Sequence, residues 1–344
     1  MSSSIKNSIF IFILLTTFLS SSSYNTTQES PIEKRYKKWL TRYGNLRPSN
    51  LSNMDLKKRF EIYKDNVQFI DKFNSENHSF TLIDNKFADM TPKEFKAKFL
   101  NEKAGNHTHL KRGSYRNHLN ISQETSCPAS WNWVAKGVVG PVKDQTKYCG
   151  SCWAFSAVAA VESLMHLKTG KQLSLSEQEL VDCDTSYNKG CKGGLKEMAF
   201  CYIAKYGLAS SNDYPYIGAD GKCKSNIKRS ATIYGFGKAK TRNEKWLACY
   251  VANRPISVSM WSHPRKFMLY HRGVYSCRRC GHYETNHAVL VVGYGRHKST
   301  GLNCWFIKNS HGKDWGDNGY MYLQRNACDG IGVCGITQTP YYPI

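Results

Sequence analysis

Cys149-Gly-Ser-Cys-Trp153 runs directly into Ala154-Phe-Ser-Ala-Val-Ala-Ala-Val-Glu-Ser-Leu-Met-His-Leu167, a segment apolar on nearly every face that stops at Gly170. Apolar residues all round a helical period mark a buried central helix, and Gly170 supplies its left-handed C-terminal stop. Cys152 then falls at the helix N-terminus, where unsatisfied N–H groups and the macrodipole favour an anion, so a thiolate is stabilised there. A thiolate needs a base for chemistry. His287 opens the run His287-Ala-Val-Leu-Val-Val-Gly-Tyr-Gly295, which reads as a buried strand. A second apolar stretch, Cys304 to Ile307, leads into Lys308-Asn309-Ser310 and places Asn309 at a strand end, where its amide can orient an imidazole. Nucleophile, base and orienter are therefore all available.

The frame around these residues is consistent with globular, soluble structure. With 344 residues the chain has the length of two to three domain-sized units. Hydrophobic content of 41% with 22% charged residues excludes disorder and multiple membrane spans, and 26 Gly and 10 Pro without period exclude collagen-like and repeat folds. The net charge of +22 raises the possibility of anionic partners. It comes without any run of five or more basic residues and without an aromatic-interleaved basic motif, so diffuse basicity is expected and nucleic acid is not.

Residues 1–23, with Lys6, apolar Ile9 to Leu19 and Ser20 to Ser23, read as a secretory signal peptide. No later stretch reaches the length of a membrane span, so a protein without membrane attachment is expected. In an oxidising compartment most of the 13 Cys pair, and an odd total leaves at least one thiol. Glycosylation sequons stand at Asn25, Asn50, Asn77, Asn106 and Asn120, all in the first part of the chain. Residues 101–124 are polar without apolar periodicity and look like a cleavable linker. Upstream of it, Asp55, Arg59, Tyr63, Asn66, Ile70 and Asn74 form one stripe on a helix, preceded by an amphipathic segment with Ile32, Tyr36, Trp39, Leu40 and Tyr43.

On these residues the chain resembles the papain-family cysteine proteases, in the plant-type, cathepsin L-like branch with a long propeptide. The resemblance rests on Cys149-Gly-Ser-Cys-Trp153, followed by His287 and Asn309 135 and 157 residues after Cys152. Gln145, Ser176-Glu-Gln-Glu-Leu-Val-Asp-Cys183, Cys191-Lys-Gly-Gly194 and Trp315-Gly-Asp-Asn-Gly-Tyr320 follow in family order. The helical stripe has the spacing of the long-propeptide signature, with Asp55 and Tyr63 as conservative replacements, and Asn85, Phe87 and Asp89 resemble the second propeptide motif. Ile83 stands where that motif has Gly.

The resemblance implies an α+β, two-domain papain-like fold with a helical left domain and an antiparallel β-barrel-like right domain, preceded by a helical propeptide. Its boundaries are a signal peptide at 1–23, an inhibitory propeptide at 24–125 and a mature domain at 126–344, with a helical half at about 138–235 and a β-rich half at about 236–330. It implies an endopeptidase made as a zymogen. Cys152 thiolate attacks a peptide carbonyl, His287 protonates the leaving amine and Asn309 orients His287, while Gln145 and the Cys152 N–H form an oxyanion hole. Substrate contacts fall on Gly193, Gly194, Asn286 and Trp315, and second-subsite contacts on Leu195, Lys196, Ser259, Thr285, Ala288 and Thr339. Implied disulfides are Cys149–Cys191, Cys183–Cys223 and Cys280–Cys334, and beside the last either a fourth bridge Cys277–Cys328 or an exchange of partners stays open. Cys127, Cys201, Cys249 and Cys304 stay unassigned, and Cys201 and Cys249 read as buried free thiols in apolar helices. Implied partners are peptide and protein substrates, the chain's own propeptide and cystatin-like inhibitors. No cofactor and no metal are implied, and the protein is expected as a monomer in the secretory pathway, in vacuole, lysosome or extracellular space; no retention tail follows Tyr342-Pro-Ile344.

Three departures bear on function. His311 replaces the Trp that in this family covers the Asn–His hydrogen bond, which implies a slower enzyme or, as the alternative, a non-catalytic homologue that uses its groove for binding. Residues 146–151 between Gln145 and Cys152 are one more than in most relatives, which reads as a local bulge. Lys196 brings charge to a position that is commonly apolar; it either attracts acidic or small polar side chains or points to solvent. Metal binding by Cys149/Cys152 and Cys277/Cys280 is disfavoured, because well over a hundred residues separate the pairs.

Overall fold

The computed structural model describes residues 29–47, 49–100, 127–146, 149–262, 264–276 and 284–344. The signal segment, the linker, the sequons at Asn25, Asn106 and Asn120, and Cys277 and Cys280 lie outside these residues; Asn50 and Asn77 are exposed. The chain divides into two compact units, Met1–Phe69 with Ala88–Met90, and Ile70–Phe87 with Thr91–Ile344.

In the first unit, helix α1 (Pro31–Tyr43) starts at a capping box in which Ser30 Oγ accepts from Glu33 N and Glu33 Oε2 accepts from Ser30 N, with Pro31 at the first helical position. Its buried face, Tyr36, Trp39 and Tyr43, meets helix α2 (Asn53–Ser75), with Tyr36 and Trp39 lying 4.8 and 5.4 Å from the Tyr63 ring. The helical stripe of the sequence becomes a set of hydrogen bonds. Asn66 Nδ2 donates to the Ala88 and Met90 carbonyls at 2.8 and 2.9 Å, Arg59 donates to Asp89 O, and Arg47 pairs with the Asp89 carboxylate at 2.7 Å. Asp55 departs from the stripe: it is exposed and bonds Ser52 at the helix start, a contact that holds its carboxyl below the usual range.

In the second unit, helix α4 (Cys152–Thr169) is the buried axis, closed by Gly170 at φ 71°. Trp153, Ala157, Val161 and Leu164 pack with Leu180 of helix α5 (Glu177–Cys183), Phe200 and Ile203 of helix α6 (Lys196–Tyr206), and Leu290, Val292 and Tyr341 of the sheet. Strands β1 (Phe80–Leu82), β2 (Trp131–Asn132), β3 (Phe236–Lys238), β4 (Ile256–Met260), β5 (Tyr270–Tyr275), β6 (His287–Arg296), β7 (Asn303–Lys308), β8 (Tyr320–Gln324) and β9 (Tyr341–Pro343) form one sheet in the order β1-β5-β8-β7-β6-β4-β9-β3, with β2 on β6. Every pairing is antiparallel except β5 with β8. The segment before the linker thus adds a strand to this sheet, Phe80 opposite Gly273; a Cβ at Gly273, whose φ is +91°, would sit 2.5 Å from Ser79 O. Asn85 fixes the turn that follows, donating to Met268 O and accepting from Phe87 N. Ile83 is not among the positive-φ residues, so this turn does not require the glycine its motif suggests.

Cys149–Cys191 and Cys183–Cys223 are bridged as the resemblance implies. Cys249 corrects the reading of a buried free thiol: it pairs with Cys127 across 122 residues. The reason is tertiary, because helix α7 (Glu244–Asn253) lies beside the start of the domain, where Trp133 Nε1 donates to Val251 O. Cys201 does remain a half-buried thiol, and burial pushes it up to about 11. Cys328 is disulfide-bonded, to a partner outside the described residues, whereas Cys334 carries no disulfide, which corrects the implied Cys280–Cys334 bridge. Cys249→Ala should lower stability by about 2–4 kcal/mol, since a long loop loses its cross-link, while Cys201→Ala should cost about 1 kcal/mol or less. Denaturant titration of the two variants checks the contrast.

Candidate active site

Helix α4 begins at Cys152 with no side-chain cap from Ser151, whose carbonyl accepts from Ala154 N and Phe155 N, and the positive end of its dipole lies at Cys152. One turn on, Ser156 Oγ donates to Val289 O at 2.8 Å and bonds Ser257 Oγ at 2.6 Å, clamping the helix to strands β6 and β4. Val289 lies two residues into β6, whose first residue is His287. The clamp therefore places the helix start and His287 at the same end of the sheet.

His287 Nε2 bonds Asn309 Oδ1 at 2.8 Å. Asn309 Oδ1 also accepts from Ser310 N, which fixes the amide orientation and puts the imidazole proton on Nε2. His287 Nδ1, left without a hydrogen-bond partner, then carries the lone pair that a base requires. Burial pushes His287 down to about 4, with the Asn309 bond acting in the opposite direction. In this closed state the imidazole is neutral at ordinary pH.

Gln145 is fully buried, donating from Nε2 to Cys149 O at 3.0 Å and reaching Phe99 O at 3.5 Å, while Ser310 Oγ donates to its Oε1. A carbonyl from helix α3 (Pro92–Phe99), upstream of the linker, thus faces the amide expected to hold an oxyanion. Thr146 adopts φ 60° just after Gln145, where the extra residue was read as a bulge.

His311 is neither partly exposed nor open to water. It is fully buried and stacks on His287 at 5.0 Å and 24°. Phe87, Phe95, Phe99, Phe267 and Trp315 enclose it edge-on at 5.5–5.9 Å. Trp315, read as a substrate contact, is itself fully buried and donates to Phe267 O, so it supports this cage.

Of the second-subsite positions, Lys196, Ser259 and Thr339 form one hydrogen-bonded cluster. Lys196 Nζ donates to Ser259 Oγ and to Thr339 Oγ1 at 3.3 Å, and Thr339 Oγ1 bonds Ser259 Oγ at 2.6 Å. Lys196 is only 1% exposed and lies 3.7 Å from the Glu197 carboxylate, which removes the reading that it points to solvent. Thr285 and Ala288 are buried, Leu195 is half-buried, and Asn286 is held by Ser262. Gly193 adopts φ 111°; a Cβ on Gly194 would meet Asn188 Oδ1 at 2.5 Å and the Trp153 ring at 2.7 Å, so packing demands that glycine.

Sequence reasoning missed a buried ionic group behind Asn309. Lys143 Nζ bonds Glu162 and Glu177 at 2.8 Å each, and Lys308 Nζ donates to Gly140 O. Together with Ser156, Val289 and Asn309 these residues line a cavity. The available signal was an acid, Glu162, inside an otherwise apolar helix. Burial raises Glu177 to about 7, and Lys143 opposes the shift. A carboxyl raised in the folded state loses stability as pH climbs from its unfolded value through the folded one. Removing Lys143 extends that window upward, so Lys143→Met should cost about 3–5 kcal/mol at pH 8 and distinctly less at pH 5; unfolding at the two pH values checks this.

Comparison with known proteins matches residues 127–344 to the papain family cysteine protease domain and residues 33–95 to the cathepsin propeptide inhibitor domain (I29). The chain is 44% identical over 322 residues to thiol protease SEN102 of Hemerocallis sp., covering 92% of this chain and 87% of that one. It is 42% identical over 323 residues to cysteine proteinase RD21A of Arabidopsis thaliana, covering 92% and 67%. Among solved structures it is similar to recombinant stem bromelain precursor, with TM-score 0.79, 37% identity and coverage of 91% and 99%. Procathepsin L 3 of Tenebrio molitor larval midgut gives 0.81, 33%, 92% and 99%.

Proposed function

The chain belongs to the papain family of cysteine proteases, made with an inhibitory propeptide, and from that premise we propose the roles of its residues. Cys152 is the nucleophile. His287 Nδ1 takes the thiol proton, and the thiolate adds to the scissile carbonyl carbon. The His287 imidazolium returns the proton to the leaving amine as the C–N bond breaks, leaving a thioester. Water, deprotonated by His287, adds to the thioester, and departure of the Cys152 sulfur releases the acid. Gln145 Nε2 and the Cys152 N–H hold the oxyanion, and Asn309 keeps His287 in the tautomer that leaves Nδ1 available. The observation carrying this reading is the 2.8 Å His287–Asn309 bond beside an unpaired Nδ1, at the end of the sheet where helix α4 starts. The acid-matured protein should hydrolyse a mixed fluorogenic peptide library and lose all turnover in Cys152→Ala. Gln145→Ala should lower kcat by about 10²–10³-fold. Turnover that survives in Cys152→Ala would overturn the assignment.

The second subsite is proposed to favour acidic or small polar side chains, because Lys196 directs a buried ammonium into the Ser259–Thr339 cluster. Lys196→Leu should move the preference toward bulky apolar side chains by about tenfold or more in kcat/KM. A library profile left unchanged by that substitution would remove the idea. Passage through the secretory pathway, glycosylation at exposed Asn50 and Asn77, and a vacuolar, lysosomal or extracellular destination belong to the same proposal.

A further inference from the structure

We propose that His311 is an acid-responsive latch on the chain's own inhibitory segment: neutral, it completes the aromatic cage that ties residues 86–99 to the active site, and protonated, it drives that segment off. The inference rests on the reading of the upstream segment as an inhibitor. It adds the residue that makes the inhibition depend on acidity.

The surroundings of His311 are rings from both sides of the linker. Three of the five aromatic walls around His311, namely Phe87, Phe95 and Phe99, belong to the upstream segment, and only Phe267 and Trp315 belong to the downstream domain. The ring has no exposed surface, and among the described residues neither nitrogen has a side-chain hydrogen-bond partner; the Ser310 backbone, which favours the charged ring, is outweighed by burial. A proton placed on it would be a poorly compensated cation held away from water.

The charged surroundings work in the same direction. Lys86, immediately before Phe87, pairs with Asp144, whose backbone bridges that of His311, so the Lys86 ammonium stands beside the imidazole. From strand β6 the facing titratable group is His287. The remaining charged residues on the packed elements are turned to other work or toward solvent. On helix α3 these are Lys93 and Lys96, exposed, Lys98, half-buried, and Glu94, which caps Thr91; on helix α8 (Pro264–Met268) they are Arg265 and Lys266; on the His311 loop they are Lys313 and Asp314. Protonation of His311 is accordingly held well below the ordinary imidazole range, first by burial, then by His287 and by Lys86.

Linkage gives the sign. With the segment bound, His311 resists a proton. With the segment gone, three walls and the Lys86 charge leave together, and the ring can accept one in water. The released state therefore binds more protons, and the segment loosens as pH falls below about 6.5, by up to about tenfold per pH unit. The ring faces of the cage attract a cation, but they cannot replace the water that His311 would need on both nitrogens.

The test uses the full chain carrying Cys152→Ala, so that no self-cleavage intervenes. Amide hydrogen exchange over residues 85–100, corrected for intrinsic rates, is compared at pH 6.5 and pH 5, a window above most carboxylate titration. Opening should rise steeply in the parent and by about tenfold less in His311→Phe, which keeps a ring and loses this proton site while leaving any His287 contribution in both proteins. An equal rise in His311→Phe overturns the proposal. His311→Trp decides the matter should His311→Phe fail to fold: it also fills the cage with a ring that takes no proton, so its acid response should be reduced to the same extent, and a parent-like response overturns the latch. Peptide hydrolysis by the Cys152-containing protein is read separately. Absent hydrolysis with a His311-dependent response sinks the catalytic reading and leaves the latch standing; full hydrolysis without that response does the opposite.

Discussion

The active-site geometry depends on the clamp between Ser156 and strand β6. Its hydroxyl donates to Val289 O and meets Ser257, fixing the buried helix against two strands at once. A helix apolar on every face has no preferred rotation of its own, because any side can face the core. The serine helps to set that rotation: its hydroxyl is satisfied across to the strands rather than by the helix's own backbone. The helix start, with the positive end of its dipole, is thereby delivered to the end of the sheet where His287 stands. A thiolate at Cys152 and an imidazole bonded to Asn309 gain their chemistry from that delivery more than from either residue alone.

The upstream segment uses the same surface in a different way. Strand β1 extends the sheet through β5, Asn85 locks the turn onto Met268, and helix α3 lays Phe95 and Phe99 beside His311. Backbone pairing gives this attachment its register and aromatic burial gives it strength. Beneath it His287 is pushed down to about 4 by burial, so its imidazolium is disfavoured in this enclosed state.

Buried charge recurs beneath the site. Lys143 holds Glu162 and Glu177, and Lys308, one residue before Asn309, donates to the Gly140 carbonyl. Such groups are costly to bury and strongly destabilising when one partner is removed, which makes the backbone on which Asn309 sits insensitive to small local rearrangement. The Lys196–Ser259–Thr339 cluster repeats the device where the second subsite is proposed, with Glu197 supplying the counter-charge.

What the sequence determined by itself was the set of parts that local pattern and spacing can carry. An all-apolar helix begun by Cys152, a strand begun by His287, Asn309 at a strand end, and the helical spacing through Tyr63 and Asn66 are all periodic or motif-borne. They follow from side-chain chemistry within a few residues. Only the tertiary structure decided what depends on residues far apart in the chain. It paired Cys249 with Cys127 across 122 residues, where an apolar helix had suggested a free thiol. It turned Lys196 inward to Ser259 and Thr339, and it enclosed His311 with three rings from the segment upstream of the linker. The physical reason is common to all three: burial and partner choice are properties of the packed chain, and the same Cys, Lys or His is a different group once its neighbours replace water.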